Sequence, residues 1–347
     1  MSSLPLVVMG ASAGGIPALR ALLGQLPADF PAAVLIVQHI APDVPSLLPE
    51  ILDRSGPLSV RQAVDGDPLR PGQVSVAPPN QHLLVDENRI VVTHGPRENR
   101  MRPSIDALFR SAAYLHRERV IGVVLSGLLD DGTSGLYTIK RRGGVAIVQS
   151  PEEAQFDSMP LSALREVEVD HCVPVTRMGA LLDELVRALP QAEGNTMSEA
   201  EDRRLEVEVG ISRGENAMAL GVTELGEPSL LTCPECQGAL VQFEEAGRLR
   251  FRCHTGHGYS GSSLLSEVTK GVEDKAYQMM RVLEESVMLM RRLGAQCEGQ
   301  GDLLGAENYY NKAQEAEARA SVVRALAQST ERLGYGADPA LRTSADD

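Results

Sequence analysis

Short apolar runs alternate with amphipathic segments over the first half of the chain. Four runs are rich in β-branched residues and show no clean polar alternation: PLVVMG (5–10), AAVLIVQ (32–38), VIGVVLSG (120–127) and GGVAIVQ (143–149). Runs of this kind are typical of parallel strands covered on both faces. Helical patterns lie between them, at 16–26, 104–118 and 133–143. The pattern therefore predicts an α/β fold with a doubly wound, mainly parallel sheet, and we assign it to a first domain over residues 1–189.

Residues 74–95 interrupt this alternation. Their apolar runs are shorter and are broken by Pro-Pro and by Asp-Glu-Asn. We interpret this stretch as a small antiparallel insertion.

The composition changes after about residue 190. Residues 190–230 combine a polar stretch with a short LEVEV run, so we expect a linker and a short strand region there. Residues 231–260 hold clustered cysteines and predict a small zinc-ribbon-like module. Two amphipathic patterns separated by GQGD predict an α-helical hairpin over 261–335, and we expect residues 336–347 to form a frayed tail.

Composition narrows the classes of function. The 347 residues carry a net charge of −14, which argues against nucleic acid as a partner. The chain has no apolar run long enough to span a membrane and no export signal, so we expect a cytoplasmic protein without direct membrane insertion. Five cysteines, an odd number, argue against a disulfide framework.

The stretch GASAG (10–14), directly after the first predicted strand, contains a candidate nucleophile. Ser12 occupies the position that a dinucleotide-binding loop needs as glycine, and the second strand ends in Gln38 and His39 rather than in an acidic residue. A phosphate-binding P-loop would need a lysine, and the first lysine of the chain is Lys140. The spacing fits G-x-S-x-G, in which glycines allow a sharp strand-to-helix turn that exposes the serine hydroxyl.

Two further side chains follow other predicted strands. His39 comes just after the second strand, and DDG (130–132) comes just after VIGVVLSG. Because the carboxyl ends of parallel strands meet at one edge of the sheet, we expect Ser12, His39 and either Asp130 or Asp131 to converge. An imidazole held by a carboxylate can take the proton of a serine hydroxyl. The order Ser, His, Asp differs from that of α/β-hydrolases and predicts another serine hydrolase fold.

These residues lie in motifs that resemble the catalytic domain of CheB-type protein-glutamate methylesterases of bacterial chemotaxis. The resemblance implies that Ser12 is the nucleophile, His39 the general base and Asp131 the orienting carboxylate. For the oxyanion we expect backbone N–H groups near Ala13 and Leu128. The motifs are GASAGG (10–15), VQHI (37–40), PGQVSVAPPNQHL (71–83), RPSIDALFRSAA (102–113), GVVLSGLLDDGTSGL (122–136) and VQSPEEAQFDSMPLSAL (148–164).

The resemblance also implies a reaction and a substrate. Members hydrolyse glutamate methyl esters on the cytoplasmic methylation helices of chemoreceptors and release methanol, and some deamidate glutamine. This chemistry needs no metal or organic cofactor. The basic stretch 94–104, with Arg97, Arg100 and Arg102, is a candidate docking strip for acidic receptor segments.

Two departures from the family pattern stand out. The sequence starts at the first predicted strand, without the receiver domain that many members carry, so we expect a stand-alone form without phosphorylation control in cis. Leu129 stands where many members have a small residue. The alternative function is a catalytically silent signalling adaptor that acts through its C-terminal module.

The clustered cysteines have the spacing of a metal site. Cys233 and Cys236 form Cys-x2-Cys, and sixteen residues later Cys253 and His257 form Cys-x3-His. Three thiolates and one imidazole can hold a structural Zn²⁺, with His254 as the competing fourth ligand. A redox Cys-x-x-Cys would normally precede a helix, which this stretch does not offer. For the C-terminal extension as a whole, our hypothesis is partner recognition or self-association through the helical hairpin.

Overall fold

Over the described residues up to 189, nine strands and six α-helices form the first half of the protein. The computed structural model describes residues 4–42, 45–189, 197–245 and 247–330. The strands are β1 (Leu6–Ala11), β2 (Ala33–Gln38), β3 (Ser59–Gln62), β4 (Gln73–Val76), β5 (His82–Asp86), β6 (Arg89–Thr93), β7 (Val120–Val124), β8 (Val145–Gln149) and β9 (His171–Val173). The helices are α1 (Gly15–Leu23), α2 (Leu48–Asp53), α3 (Ile105–His116), α4 (Thr133–Arg141), α5 (Ser158–Glu166) and α6 (Val175–Ala188).

The main sheet has seven parallel strands in the order β3-β4-β2-β1-β7-β8-β9. The four strands that the apolar runs predict are its centre, and the predicted doubly wound α/β fold is confirmed. The stretch 74–95 differs from the prediction in part. Its first residues form β4 and join the main sheet in parallel, whereas β5 and β6 form the expected antiparallel hairpin.

Both faces of the sheet are buried, which explains the unbroken apolar runs. Alternate residues of β1 belong to two separate cores: Val7 and Met9 face one, and Leu6 and Val8 face the other. Helices α1, α2 and α6 cover the first face, and α3, α4 and α5 cover the second. The carboxyl ends of β1, β2 and β7 are thereby held at one rigid edge.

Residues Glu199–Ser212 form helix α7 where the sequence predicts a linker and a short strand. The alternation in LEVEV suggests a strand, but a capping box precedes it: the Ser198 side chain accepts from the Glu201 N–H, and the Glu201 carboxylate accepts from the Ser198 N–H. Two reciprocal caps favour a helix start. Its buried face then packs Val207 and Ile211 against the segment that follows.

Four antiparallel strands carry the cysteines. They are β10 (Glu227–Thr232), β11 (Ala239–Glu245), β12 (Arg248–Cys253) and β13 (Gly258–Ser260), in that order across the sheet. We call residues 227–260 the cysteine module. The chain divides into two compact units after Ser263, so the cysteine module belongs to the same unit as the seven-stranded sheet.

Two long helices form the predicted C-terminal hairpin. Helix α8 spans Gly261–Gly299 and α9 spans Leu303–Thr330. In the second unit they run antiparallel, because Arg291 pairs with Glu317 and Tyr310 reaches back to Glu298. The predicted tail, 336–347, lies outside the described residues. Among the helices that the structure describes, none combines the length and apolar content needed to cross a membrane.

Candidate active site

Ser12 lies directly after β1, on a tight turn that leads into α1. Gly14 adopts a φ of 71°, a left-handed conformation that glycine reaches without steric cost. The Ser12 N–H donates to the Ser126 carbonyl (3.0 Å), which joins the turn to the end of β7. A Cβ added at Gly127 would lie 2.9 Å from the Ser12 Cβ and 2.0 Å from the Met159 sulfur. Gly127 therefore lets the β7 loop approach the serine closely.

His39 joins the serine to a carboxylate. It follows β2 directly, and its backbone N–H donates to the Ala11 carbonyl (3.0 Å). The imidazole Nδ1 lies 3.1 Å from the Ser12 Oγ, and Nε2 lies 2.9 Å from the Asp131 Oδ2. Of the two candidate carboxylates, Asp130 and Asp131, Asp131 is the one in contact with the imidazole.

The Asp131 carboxylate is buried and fully hydrogen-bonded. Its Oδ2 accepts from the Ile105 N–H (2.7 Å) at the start of α3, and its Oδ1 accepts from Ser104 Oγ (3.0 Å) and Asn99 Nδ2 (3.1 Å). A helix N-terminus favours an anion. Burial acts to raise the pKa of Asp131, but the hydrogen bonds from His39, Ile105 and Asn99 outweigh it and lower the pKa. The carboxylate is held ionised, with one oxygen aimed at the imidazole.

Together Ser12, His39 and Asp131 form a continuous hydrogen-bonded chain. When the carboxylate accepts from Nε2–H, Nδ1 is left free to accept the serine proton. An arrangement of this kind activates a serine hydroxyl for attack on an acyl carbon.

The expected oxyanion donors lie on the loops beside Ser12. Among hydrogen bonds within the described ranges, neither the Ala13 N–H nor the Leu128 N–H donates to a protein acceptor. Leu128 is 53% exposed, and its neighbour Leu129 adopts a φ of 63°. Both N–H groups are therefore available to a ligand, and their role stays a prediction.

The candidate docking strip is partly used inside the protein. Arg102 donates through Nε and Nη2 to the Asn80 side chain and through Nη1 to the Gly95 carbonyl (3.0 Å). Arg97 and Arg100 are half-buried. Docking by the three arginines is still a prediction, and for Arg102 it would compete with these bonds.

Sequence reasoning missed three groups around Asp131. Asn99 and Ser104 donate to its carboxylate, as described above. Asp106 accepts from the N–H groups of Gly132 (3.0 Å) and Gly135 (2.6 Å) and so fixes the segment that follows Asp131. Ser104 had a readable signal, since a serine before an apolar helical pattern is a typical N-cap.

The four predicted metal ligands lie together. The candidate ligand atoms of Cys233, Cys236, Cys253 and His257 are all within 4.8 Å of one another. Three of the separations are 3.5 Å (Cys253 Sγ to His257 Nδ1), 3.6 Å (Cys236 Sγ to Cys253 Sγ) and 3.7 Å (Cys233 Sγ to His257 Nδ1). A tetrahedral zinc with ordinary bond lengths separates its ligand atoms by roughly 3.6–3.8 Å. The cluster therefore has the donors and the size to hold one metal ion.

His257, rather than His254, belongs to this cluster. His254 is exposed and packs against Gly238. The second nitrogen of His257, Nε2, lies 3.3 Å from the Glu235 carboxylate. A carboxylate in this position orients a ligating imidazole.

Comparisons with known proteins agree with the fold. Residues 7–182 match the family model for CheB methylesterase. A protein-glutamate methylesterase/protein-glutamine glutaminase of Symbiobacterium thermophilum is 41% identical over 174 residues, which are 48% of this chain and 48% of that protein. A Leptospira interrogans relative, which carries the same name provisionally, is 38% identical over 176 residues, 50% of this chain and 91% of its own length.

A solved structure is also similar to the first half of this chain. The crystal structure of the Thermotoga maritima CheB methylesterase catalytic domain is similar with a TM-score of 0.51 at 32% identity, and the match covers 53% of this chain and 100% of that one. The part of this chain that follows the matched region, including the cysteine module, lies outside these similarities. The chain therefore belongs to the CheB methylesterase family.

Proposed function

We propose that this chain is a serine esterase that demethylates glutamate methyl esters on the cytoplasmic methylation helices of chemoreceptors. The observation that carries the proposal is the hydrogen-bonded chain from Ser12 through His39 to Asp131. Family membership and the names of the similar proteins support the same reaction. The intact chain of three groups favours an enzyme over a catalytically silent adaptor.

The reaction follows from the positions of these groups. The Ser12 Oγ attacks the ester carbonyl while His39 Nδ1 takes its proton, and Asp131 stabilises the imidazolium that forms. Backbone N–H groups of Ala13 and Leu128 would donate to the oxyanion. His39 then returns the proton to the leaving methoxide, and methanol departs from an acyl-enzyme. Water, deprotonated by the same imidazole, then attacks the acyl carbon; the bond to the Ser12 Oγ breaks, the oxygen takes the proton back from His39, and the free glutamate is released.

Deamidation of glutamine uses the same steps. The amide carbonyl takes the place of the ester, and the proton from His39 goes to the leaving amine, which departs as ammonia. The double name of the similar proteins supports this second activity.

The experiment is methanol release from a methylated receptor fragment. We expect Ser12→Ala to lower kcat by about 10⁴-fold or more, because no other group forms the acyl-enzyme. Ser286→Ala, on α8 and far along the chain, is the matched control and should keep the wild-type rate. Equal rates for Ser12→Ala and wild type would refute the proposal, and a wild type that releases no methanol would favour the adaptor.

We also propose that Cys233, Cys236, Cys253 and His257 bind one structural Zn²⁺. Four protein ligands leave no open position for water, so the ion would contribute folding energy rather than chemistry. Metal analysis of the purified chain should find about one zinc per chain. Cys236→Ser should lose the ion and Cys172→Ser should retain it. An equal zinc content in the two variants would contradict this assignment.

A further inference from the structure

The cysteine module reaches the surroundings of Asp131 through β13. This strand follows His257 directly and pairs with the segment 97–99 of the first domain. The Gly258 N–H donates to the Arg97 carbonyl (3.2 Å), and the Asn99 N–H donates to the Gly258 carbonyl (2.8 Å). The last residue of the module, Ser260, donates its N–H to the Asn99 Oδ1 (2.9 Å).

Asn99 connects the module to the carboxylate. Its side chain is buried, and its backbone holds a φ of 49°, which asparagine tolerates better than most residues. While Oδ1 accepts from Ser260, Nδ2 donates to Asp131 Oδ1 (3.1 Å) and to Asp106 Oδ2 (2.9 Å). A shift of β13 would therefore turn the amide that fixes Asp131.

The neighbouring aspartate is held from the same side. Asp130 accepts from Ser260 Oγ (3.0 Å) on Oδ1 and from Ser262 Oγ (2.6 Å) on Oδ2. The loop that carries Asp131 is thus bonded both to the last residue of the cysteine module and to the first turn of α8.

A buried cluster of charged side chains stabilises the contact between the cysteine module and the first domain. Glu98, beside Asn99, pairs with Arg110 of α3 and with Arg250 (2.6 Å) and Arg252 (3.1 Å) of β12. Burial acts to raise the pKa of Glu98, but the three guanidinium groups hold it well below its usual range. The cluster keeps β12 against the first domain, whereas the turn from Cys253 to His257 determines where β13 begins.

We infer that the cysteine module is a metal-dependent positioning element for Asp131, acting through Ser260 and Asn99. This inference rests on the proposed function for its activity readout. Ligation of Cys253 and His257 fixes both ends of the turn that precedes β13. Buried Tyr259, within β13, also lies 3.4 Å from the Cys233 Sγ, so the strand contacts the ligand cluster directly. Loss of the ion frees this turn, moves Ser260 away from Asn99, and leaves Asp131 less well aligned with His39.

The first test removes zinc from the full-length chain with a chelator and then restores it. We expect kcat to fall by about tenfold to a hundredfold, the range for a weakened hydrogen bond to a charged group, with KM changed by less than about twofold. The low-field proton NMR resonance of the imidazole N–H that faces Asp131 should weaken in parallel. Zinc should restore both.

The second test asks whether zinc acts through Asn99. Asn99→Asp keeps the acceptor for Ser260 but places an oxygen against two carboxylates. We expect this variant to lose kcat by about tenfold to a hundredfold with zinc bound, and to respond to the chelator by less than about threefold, because the two changes act on one path. Asn88→Asp, in the exposed turn between β5 and β6, is the matched control and should respond like wild type.

The outcomes separate the inference from the proposed function. If chelation leaves both kcat and the resonance unchanged while Ser12→Ala is inactive, the esterase stands and the inference fails. If the zinc-loaded wild type releases no methanol, the proposed function fails, and the resonance still tests the inference without substrate. A chelator response in Asn99→Asp as large as that of wild type would also overturn it.

Discussion

Among the described residues, two clusters of reactive side chains are built in opposite ways. Ser12, His39 and Asp131 come from three strand ends that are far apart in the sequence, and a sheet buried on both faces brings them together. The cysteine cluster comes from two tight turns within about 25 residues. The first arrangement is fixed by a large core, whereas the second is held by its two turns and the antiparallel strands around them. Changes to the first should therefore alter rate, and changes around the second should alter stability and alignment.

The largest expected effect tests the carboxylate of the first cluster. Asp131→Asn should lower kcat by about 10³- to 10⁴-fold, because an amide cannot stabilise the imidazolium and would turn an NH₂ group toward surrounding donors. Methanol release measures the loss, and near-UV circular dichroism checks the packing. Asp130→Asn, which has the same chemistry one residue earlier, should lose much less. Equal losses for the two variants would remove Asp131 from its proposed role.

The next effect tests the buried charges that join the two regions. Glu98→Gln should lower the free energy of unfolding by about 3–5 kcal/mol, because three buried guanidinium groups lose one of the two carboxylates that they share and keep only Glu208 in common. Urea denaturation measures this change. Glu206→Gln removes an exposed pair with Arg203 and should cost less than about 1 kcal/mol. A similar small cost for both variants would mean that the cluster does not hold the module.

A pH dependence of stability should come from His82, which lies under the N-terminus of α3. Its Nδ1 accepts from the Ser104 N–H (3.2 Å) and its Nε2–H donates to the Pro96 carbonyl (2.9 Å), so the buried ring is neutral. Burial lowers the pKa of His82 to about 4 from the usual 6.5. Between these values the unfolded chain binds the extra proton, so stability is complete above pH 6.5 and declines as the pH falls toward 4. The decline should reach about 3 kcal/mol.

Urea denaturation at a series of pH values measures this decline. His82→Gln, which keeps an acceptor and a donor but does not titrate, should flatten the curve between pH 6.5 and 4. The exposed His94, replaced in the same way, should leave the curve unchanged. If the stability of His82→Gln falls with pH as steeply as that of wild type, the pH dependence comes from other groups.

The sequence predicts the cluster of Ser12, His39 and Asp131 better than it predicts the residues around that cluster. Strand-end placement is enough to bring Ser12, His39 and an aspartate together, because parallel topology fixes which loops meet. The contact between Asn99 and Ser260 joins residues 161 positions apart and leaves no periodic signal in either segment. Local backbone geometry distinguishes the two candidate ligands, His254 and His257. Gly256, with a φ of 101°, turns the chain so that His257 faces the cysteines.

Helix α7 shows where a local pattern misleads. LEVEV alternates as a strand would, yet α7 is helical because Ser198 and Glu201 cap its start and its apolar residues pack within the same unit. The capping box was readable in the sequence as S-x-x-E. Binary alternation over five residues is therefore a weaker signal than a cap followed by apolar residues.

The smallest expected effect is a change in the free energy of unfolding that comes from the loop before Asp131. Leu129 holds a φ of 63°, a conformation that costs a residue with a Cβ about 1–2 kcal/mol and costs glycine almost nothing. Leu129→Gly should raise the free energy of unfolding by about 0.5–1 kcal/mol, since the added freedom of the unfolded chain offsets part of the relief. Leu128→Gly, without a positive φ to relieve, should lower it. Urea denaturation measures the free energy of unfolding of both variants. A loss of stability in both would show that the loop before Asp131 stores no strain at Leu129.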